Sequence, residues 1–250
     1  MKKIFPVLYL ILLSAQTVNA QFTTQGKIEY ERKINVYHQL DDWGDDDNSS
    51  WVETIKSQVA KFRVNYFDLY FDTSKSIYKP GRASDNGNST WGTNAVSDNV
   101  VESDFVNDKV TAAKEIYEQK FLVKDSLRKL KWRITDEIRT IADYKCHKAV
   151  SKICDSVYVV AFYTDDIMVS GGPEMFGGLP GMILELAIPR LYTTWVATKV
   201  EITPPKPEDF AMEEKGKEKE MTQAEMTKNL IDHLKDWGKY GNKVVWWGTL

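Results

Sequence analysis

The sequence predicts an α+β fold that is rich in β-structure: a single curved antiparallel sheet, or an open half-barrel, with a C-terminal helix and a short N-terminal helix. Many short segments alternate between apolar and polar residues and are separated by turn-forming residues, which is typical of antiparallel strands. One segment near the C-terminus, residues 222–237, instead carries apolar residues at helical spacing. No repeat of fixed period and no clear linker divides the chain, so we expect one domain over residues 21–250.

The alternating segments predict a series of strands that each present an apolar face. Their predicted positions are residues 26–36, 59–71, 76–79, 98–108 (with a turn), 114–123, 127–134, 138–151, 157–164, 182–188 and 192–202. Residues 157–162, VYVVAF, are apolar on both faces, so this strand should lie centrally in its sheet.

Two helices are predicted from capping boxes, in which Ser or Thr is followed three residues later by Glu. The boxes are Ser50–Glu53 and Thr222–Glu225, and they predict helices over residues 51–60 and 222–237. The second helix should end at Gly238. Its apolar face, which can pack on the sheet, consists of Met226, Leu230, Leu234 and Trp237.

The N-terminus has the pattern of a secretory signal peptide. Two lysines precede the short apolar run 4–13, and residues 18–20 have the small-residue pattern of a cleavage site. We expect cleavage after Ala20 and export to the periplasm, with or without association to the outer membrane. The apolar run is too short for a retained membrane anchor, and no later segment is long and apolar enough to span a bilayer.

Charge and acidic residues exclude some function classes. A net charge of -3 gives no reason to expect a nucleic-acid partner. The acidic segment 41–50 does not have the spacing of an EF-hand loop, so a solvated loop is the favoured interpretation. The local set Cys146, His147, Cys154 and Asp155 matches no standard zinc spacing. We therefore predict no metal and no other cofactor.

The two cysteines, Cys146 and Cys154, raise the questions of a disulfide and of a catalytic thiol. Export makes oxidation possible, but a free, buried Cys146 with Cys154 in a loop is favoured over a bridge. His147 would point to the opposite face of its strand, so it cannot easily form a dyad with Cys146. The sequence contains no GxSxG, HExxH or P-loop motif, and we predict no catalytic residue.

The stretch 171–186, GGPEMFGGLPGMILEL, combines a glycine-rich loop with the start of a strand. The pair Pro180-Gly181 suits the central positions of a type II turn, in which Gly would have a positive φ. Candidate binding groups are the amides of Gly177, Gly178 and Gly181 together with Pro180, which could contact a peptide or an anion. Lys148 is a further candidate for receiving an anion, although it could equally extend into solvent at the sheet edge.

Several motifs together resemble the GLPGLI family. The motifs are Leu130-x-Trp132-x-Ile134, Ile141-x-x-Tyr144-x-Cys146-x-Lys148-Ala149, Ala161-Phe162-Tyr163-Thr164 and Gly172-Pro173-x-x-Phe176-x-Gly178-Leu179-Pro180-Gly181-Met182-Ile183. They cover residues 130–190, with GLPGMI in place of GLPGLI and Phe162 where the family often has Trp. The resemblance implies an envelope protein of Bacteroidota-type bacteria, and it implies no known reaction and no catalytic residues.

These observations favour a non-enzymatic ligand-binding or accessory protein of the periplasm or outer membrane. A lipid, a peptide or an outer-membrane protein would be its partner. One alternative is a periplasmic enzyme that uses Cys146 or the acidic residues near the GLPG loop, such as Glu174 and Glu185. Another alternative is a structural interaction module, suggested by the charged run 208–220.

Overall fold

A computed structural model describes residues 22–42, 49–84, 99–116, 119–154, 156–212 and 218–250. Within these residues the chain forms one open, curved sheet of twelve strands with C-terminal helices, which confirms the predicted fold class. The predicted signal peptide, residues 1–20, lies outside this part of the chain and stays a prediction. None of the helices described in these ranges has the length and apolarity that a membrane crossing requires.

The strands have the following bounds: β1 Gly26–Asn35, β2 Phe62–Phe71, β3 Lys75–Pro80, β4 Val100–Asp104, β5 Lys109–Ile116, β6 Gln119–Ser126, β7 Arg133–Ile141, β8 Tyr144–Ile153, β9 Val157–Thr164, β10 Met182–Ile188, β11 Thr193–Glu201 and β12 Lys219–Met221. The α-helices are α1 Val36–Asp41, α2 Ser49–Lys56, α3 Gln223–Leu234 and α4 Lys239–Gly248. Short 3₁₀ turns occupy Pro189–Leu191, Pro207–Phe210 and Lys235–Trp237.

The strand order is β12-β6-β5-β4-β3-β2-β1-β11-β10-β9-β8-β7. All neighbours are antiparallel except β12 and β6, which are parallel. Strands β1 to β6 build one half of the sheet as consecutive antiparallel pairs, and β7 to β11 return from the opposite edge to join β1. Strand β1 therefore joins the two halves of the sheet. Strand β9 has a neighbour on each side, β10 and β8, as its apolar sequence predicts.

The core lies on the face of the sheet that the C-terminal helices cover. Large side chains of the central strands, among them Tyr30, Phe67 and Trp195, are at most 1% exposed. Helices α3 and α4 contribute the buried residues Met226, Leu230, Leu234, Val244 and Trp247 to the same cluster. Strand β10 begins buried on both faces, since Met182, Ile183 and Leu184 are all inaccessible to solvent.

The predicted strand 114–123 is wrong, because the chain reverses between β5 and β6. The inward positions of β5 are even-numbered (Val110, Ala112, Lys114 and Ile116), whereas those of β6 are the odd-numbered Phe121 and Val123. A strand has a period of two, so this change of phase marks the turn. The predicted strand 127–134 is also too long, because residues 127–132 are irregular and β7 begins at Arg133.

The C-terminal helical region is longer than predicted. The capping box at Thr222 is confirmed, with reciprocal bonds between Thr222 and Glu225. Helix α3 ends at Leu234, and Trp237 is 49% exposed rather than part of the apolar face. Gly238, with φ +54°, ends this helical segment as expected. Helix α4, whose Trp247 is buried in the core, is not predicted from the sequence pattern.

Candidate functional site

The glycine-rich stretch, here called the glycine loop (residues 170–181), is held by close backbone contacts. A Cβ at Gly181 would lie 2.0 Å from the carbonyl oxygen of Thr164, and one at Gly177 would lie 2.7 Å from that of Ser170. Among the glycines of this loop, the positive φ belongs to Gly178, at +82°, and not to Gly181. The predicted type II turn is therefore wrong, and Gly181 is required by contact with β9 instead.

Two backbone polar groups of the loop, the amide of Gly178 and the carbonyl of Gly177, are engaged within the protein. The amide of Gly178 donates to Ser170 Oγ at 3.0 Å. The indole Nε1 of Trp132 donates to the carbonyl oxygen of Gly177 at 2.9 Å. The amide of Gly178 is thus not free to bind an anion in this conformation, and the loop presents a fixed surface.

A groove of about 390 Å³ runs beside this loop, and we call it the loop groove. Its main walls come from the β4–β5 turn, from the irregular segment that precedes β7 and from residues 168–178, with Thr73 of the β2–β3 turn and Ser103 of β4 completing the lining. The side chains that make it apolar are Phe105, Leu127, Leu130, Met168, Val169, Met175 and Phe176. Of the sequence-predicted binding residues, Gly177 and Gly178 line this groove, whereas Pro180, Gly181 and Lys148 do not.

A buried cluster of polar side chains holds the glycine loop against strand β1. Glu174 is 2% exposed and has a φ of +54°. Its Oε2 accepts a hydrogen bond of 2.8 Å from Asn99 Nδ2, and its Oε1 lies 4.0 Å from Arg32 Nη1. Arg32 is itself 1% exposed and lies 4.7 Å from the ring centroid of Phe67. The ion pair therefore joins the loop to the central strand β1.

Two further cations hold the end of α4 beside this cluster. Lys114 Nζ donates to the carbonyl oxygen of Gly248 at 3.0 Å, and Arg128 Nη2 donates to that of Thr249. Burial lowers the pKa of Lys114 to about 7, with a further lowering from nearby Arg128 and an opposing effect of Glu174. Burial also lowers the pKa of Arg128 to about 10. The roles of Lys114 and Arg128 cannot be identified from the sequence, since a cation in an alternating segment is normally assigned to the solvent face.

Lys148 belongs to a different part of the molecule. Its Nζ lies 2.5 Å from Glu137 Oε2, and the neighbouring Arg139 lies 3.0 Å from Glu185. These pairs form a ladder across the outer face of strands β7 to β10. Lys148 is therefore neutralised by a carboxylate and is not brought to the glycine loop.

Both cysteines are free, so the disulfide considered from the sequence is not formed. Cys146 is inaccessible to solvent, and burial raises the pKa of its thiol to about 12. Cys154 is exposed and its Sγ lies 3.5 Å from Thr249 Oγ1. The nucleophilic form of cysteine is the thiolate, so Cys146 is poorly suited to catalysis.

The described ranges contain no group of three or more side chains placed to hold a metal ion.

Comparisons with known proteins agree with this architecture. The sequence model of the family described as N-glycanase peptide, N-terminal domain, matches residues 95–225. Two solved structures are similar in fold, PNGF-II in space group P21 and PNGF-II in space group C2. The first has a TM-score of 0.52 at 16% identity, over 82% of this chain and 32% of that chain. The second has a TM-score of 0.50 at 16% identity, over 90% and 33%.

The chain thus spans about a third of the length of the PNGF-II structures that it resembles. At this identity the likeness to PNGF-II establishes the fold alone. No curated protein matches the sequence. The family match, in contrast, covers more than half of the 250 residues. The chain belongs to the family of N-glycanase N-terminal domains.

Proposed function

We propose that this chain is an exported accessory domain that binds an apolar or amphipathic ligand in the loop groove. The observation that carries the proposal is the groove itself, a concave and mostly apolar site of about 390 Å³ beside the glycine loop. Sites for small ligands are typically clefts of about 300–1,000 Å³ lined by apolar and aromatic side chains with few polar groups. The loop groove fits this description in size, and its seven apolar side chains are accompanied by the polar or charged ones of Thr73, Ser103, Asp108, Arg128, Lys129 and Ser170.

The groove walls are fixed before a ligand arrives. Glycine contacts hold the loop against β9, the Arg32–Glu174 pair holds it against β1, and Trp132 bonds to Gly177 from the opposite wall. A preformed site loses little conformational entropy on binding, so more of the contact energy appears as affinity. This rigidity supports a binding role for the loop groove.

The rim of the groove exposes apolar surface that a ligand would cover. Met168 is 58% exposed, and partly buried Phe105 also lines the groove. Methionine adapts its shape to varied apolar partners and is common at binding surfaces that accept them. The family match supports an accessory or binding role in a larger system, because the family is that of an N-terminal domain.

The enzyme alternative has less support. Cys146 is buried, with a pKa of about 12, and Glu174 is engaged by Asn99 at 2.8 Å. Glu185 is paired with Arg139 at 3.0 Å, on the outer face of the sheet. The third interpretation, an interaction module based on the charged run 208–220, stays a prediction, since residues 213–217 lie outside the described part of the chain.

Binding of the neutral apolar dye N-phenyl-1-naphthylamine tests the proposal. We expect wild-type protein to bind the dye with increased fluorescence, and Met168→Glu to weaken binding by about tenfold or more, because the new carboxylate would have to be desolvated beside the dye. Ile231→Glu is the matched control, since Ile231 is 52% exposed on α3 and does not line the loop groove. Equal dye binding by both variants, or no binding by wild type, would overturn the proposal.

A further inference from the structure

A second groove of about 530 Å³ lies on the outer face of strands β7, β8 and β9, and we call it the basic groove. Its cations are Lys129, Lys131, Arg133 and Lys152. Leu130, Val150 and the 55% exposed ring of Tyr158 supply apolar surface between them. The register pairs Arg133 with Val150 and Lys152 with Tyr158, so the sheet places these four side chains on one face.

The charges of the basic groove are not balanced by carboxylates. Lys129 is paired with Asp108 at 2.7 Å, but Lys131, Arg133 and Lys152 have no ion pair with any carboxylate of the described ranges. Further along the same face, Lys148 and Arg139 each have a glutamate partner. The chain as a whole is acidic, with a net charge of -3. The basic groove is therefore a local excess of positive charge in a protein that neutralises comparable cations nearby.

The two grooves adjoin. Lys129 and Leu130 line both of them, so the irregular segment before β7 is their common wall. A ligand with an apolar part in the loop groove can reach the basic groove by crossing this wall. The loop groove, which also contains Arg128 and Asp108, supplies most of the apolar side chains of the combined surface, and the basic groove supplies most of its cations.

We propose that the ligand of the loop groove is an anionic lipid, with its acyl chain in the loop groove and its phosphate headgroup in the basic groove. This inference rests on the proposed function and names the ligand class for that site. Phosphate oxygens accept charge-assisted hydrogen bonds from lysine and arginine, and an acyl chain matches the apolar lining that a soluble phosphate compound would leave empty. The preference of the protein for an anionic headgroup over a zwitterionic one then depends on Lys131, Arg133 and Lys152.

Displacement of N-phenyl-1-naphthylamine by lysophosphatidic acid and by lysophosphatidylcholine tests the inference. We expect lysophosphatidic acid to displace the dye from wild type at about tenfold lower concentration than the zwitterionic lipid, with the preference decreasing as salt is added. The triple variant K131Q/R133Q/K152Q should lose this preference and keep its affinity for the neutral dye. The control K120Q/K228Q/K235Q removes three exposed cations that line neither groove and should keep the preference.

The outcomes separate the two proposals. Dye binding with equal displacement by the two lipids overturns the headgroup assignment and leaves the loop groove as the binding site. Absence of both dye and lipid binding overturns the proposed function together with this inference. Binding of inorganic pyrophosphate is measured as the last comparison. If pyrophosphate binds the basic groove as tightly as lysophosphatidic acid does, the ligand is a soluble phosphate compound and the lipid assignment is wrong.

Discussion

At the residue scale, two cations near the end of α4, Lys114 and Arg128, are expected to influence the stability of the protein. The last carbonyl groups of a helix lack intrahelical partners and carry partial negative charge. Lys114 and Arg128 supply donors to the carbonyls of Gly248 and Thr249 at the end of α4. Lys114 is 2% exposed and lies near the partly buried Arg128, and burial together with this second cation lowers the pKa of Lys114 to about 7. Stability should therefore depend on pH through this residue.

The folded-state pKa of Lys114 is below its ordinary value of 10.5, so the unfolded chain holds the proton more tightly between these values. The cost of burying the charge is full below about pH 7 and is relieved as pH rises towards 10.5. We expect the free energy of unfolding of wild type to rise with pH relative to Lys114→Met, by at most about 1.4 kcal/mol per pH unit. Urea unfolding of both proteins between about pH 7.5 and about 9.5 measures this difference. Parallel pH profiles would contradict the burial of a titrating Lys114.

Individual side-chain roles were predictable only where local geometry decides them. The Pro180-Gly181 motif predicts a turn with a positive φ at Gly181, whereas the positive φ is at Gly178. Gly181 is required by a contact with Thr164, a residue on another strand, and a local motif does not show this contact. The roles of Lys114 in β5 and of Arg128 before β7 could not be predicted for the same reason, since their hydrogen-bond partners are backbone carbonyls near the C-terminus.

At the scale of elements, the glycine loop and β1 are joined by a buried ion pair. Arg32 and Glu174 are 1% and 2% exposed. Removing one member of a buried pair leaves an uncompensated charge and is far more costly than removing both. The pair therefore matters less for net stability than for fixing the position of the loop relative to β1.

We expect Arg32→Met to lower the free energy of unfolding by about 3–5 kcal/mol, and the double variant R32M/E174Q to regain part of that loss. Arg82→Met is the control, because Arg82 pairs with Glu29 but its side chain is 50% exposed, and it should cost less than about 1 kcal/mol. Chemical denaturation of the four proteins measures these values. A cost for Arg32→Met no larger than that of Arg82→Met would contradict the anchoring role of the pair.

The boundaries of helices and strands were predictable where the apolar pattern is regular. They were less predictable where tertiary contacts determine where an element begins or ends. Most strands and α3 follow their patterns. Helix α4 contains Gly241, where a Cβ would lie 2.5 Å from the carbonyl oxygen of Leu234, and Gly248, where it would lie 2.6 Å from Leu230 Cδ1. Glycine disfavours helix formation locally, so the sequence pattern hides a helix that exists because it packs closely on α3.

At the scale of the whole molecule, the curved sheet brings distant segments together around the loop groove. Its main walls are the β4–β5 turn, the segment before β7 and residues 168–178, and Thr73 from the β2–β3 turn also lines it. The sequence could indicate the glycine loop as a candidate, because its motif is local. The other two walls depend on the strand order, which places β4 and β5 on one side of β1 and β7 to β10 on the other. Neither wall follows from periodicity along the chain.

Native mass spectrometry of the protein purified from bacterial cells, and of the same protein incubated with lysophosphatidic acid, is the most direct test of ligand binding in the loop groove. We expect wild type to carry added mass that disappears on denaturation, and Met168→Glu to carry much less. Ile231→Glu should behave as wild type. A bare wild-type mass after incubation, or the same added mass on Met168→Glu, would contradict a ligand site in the loop groove.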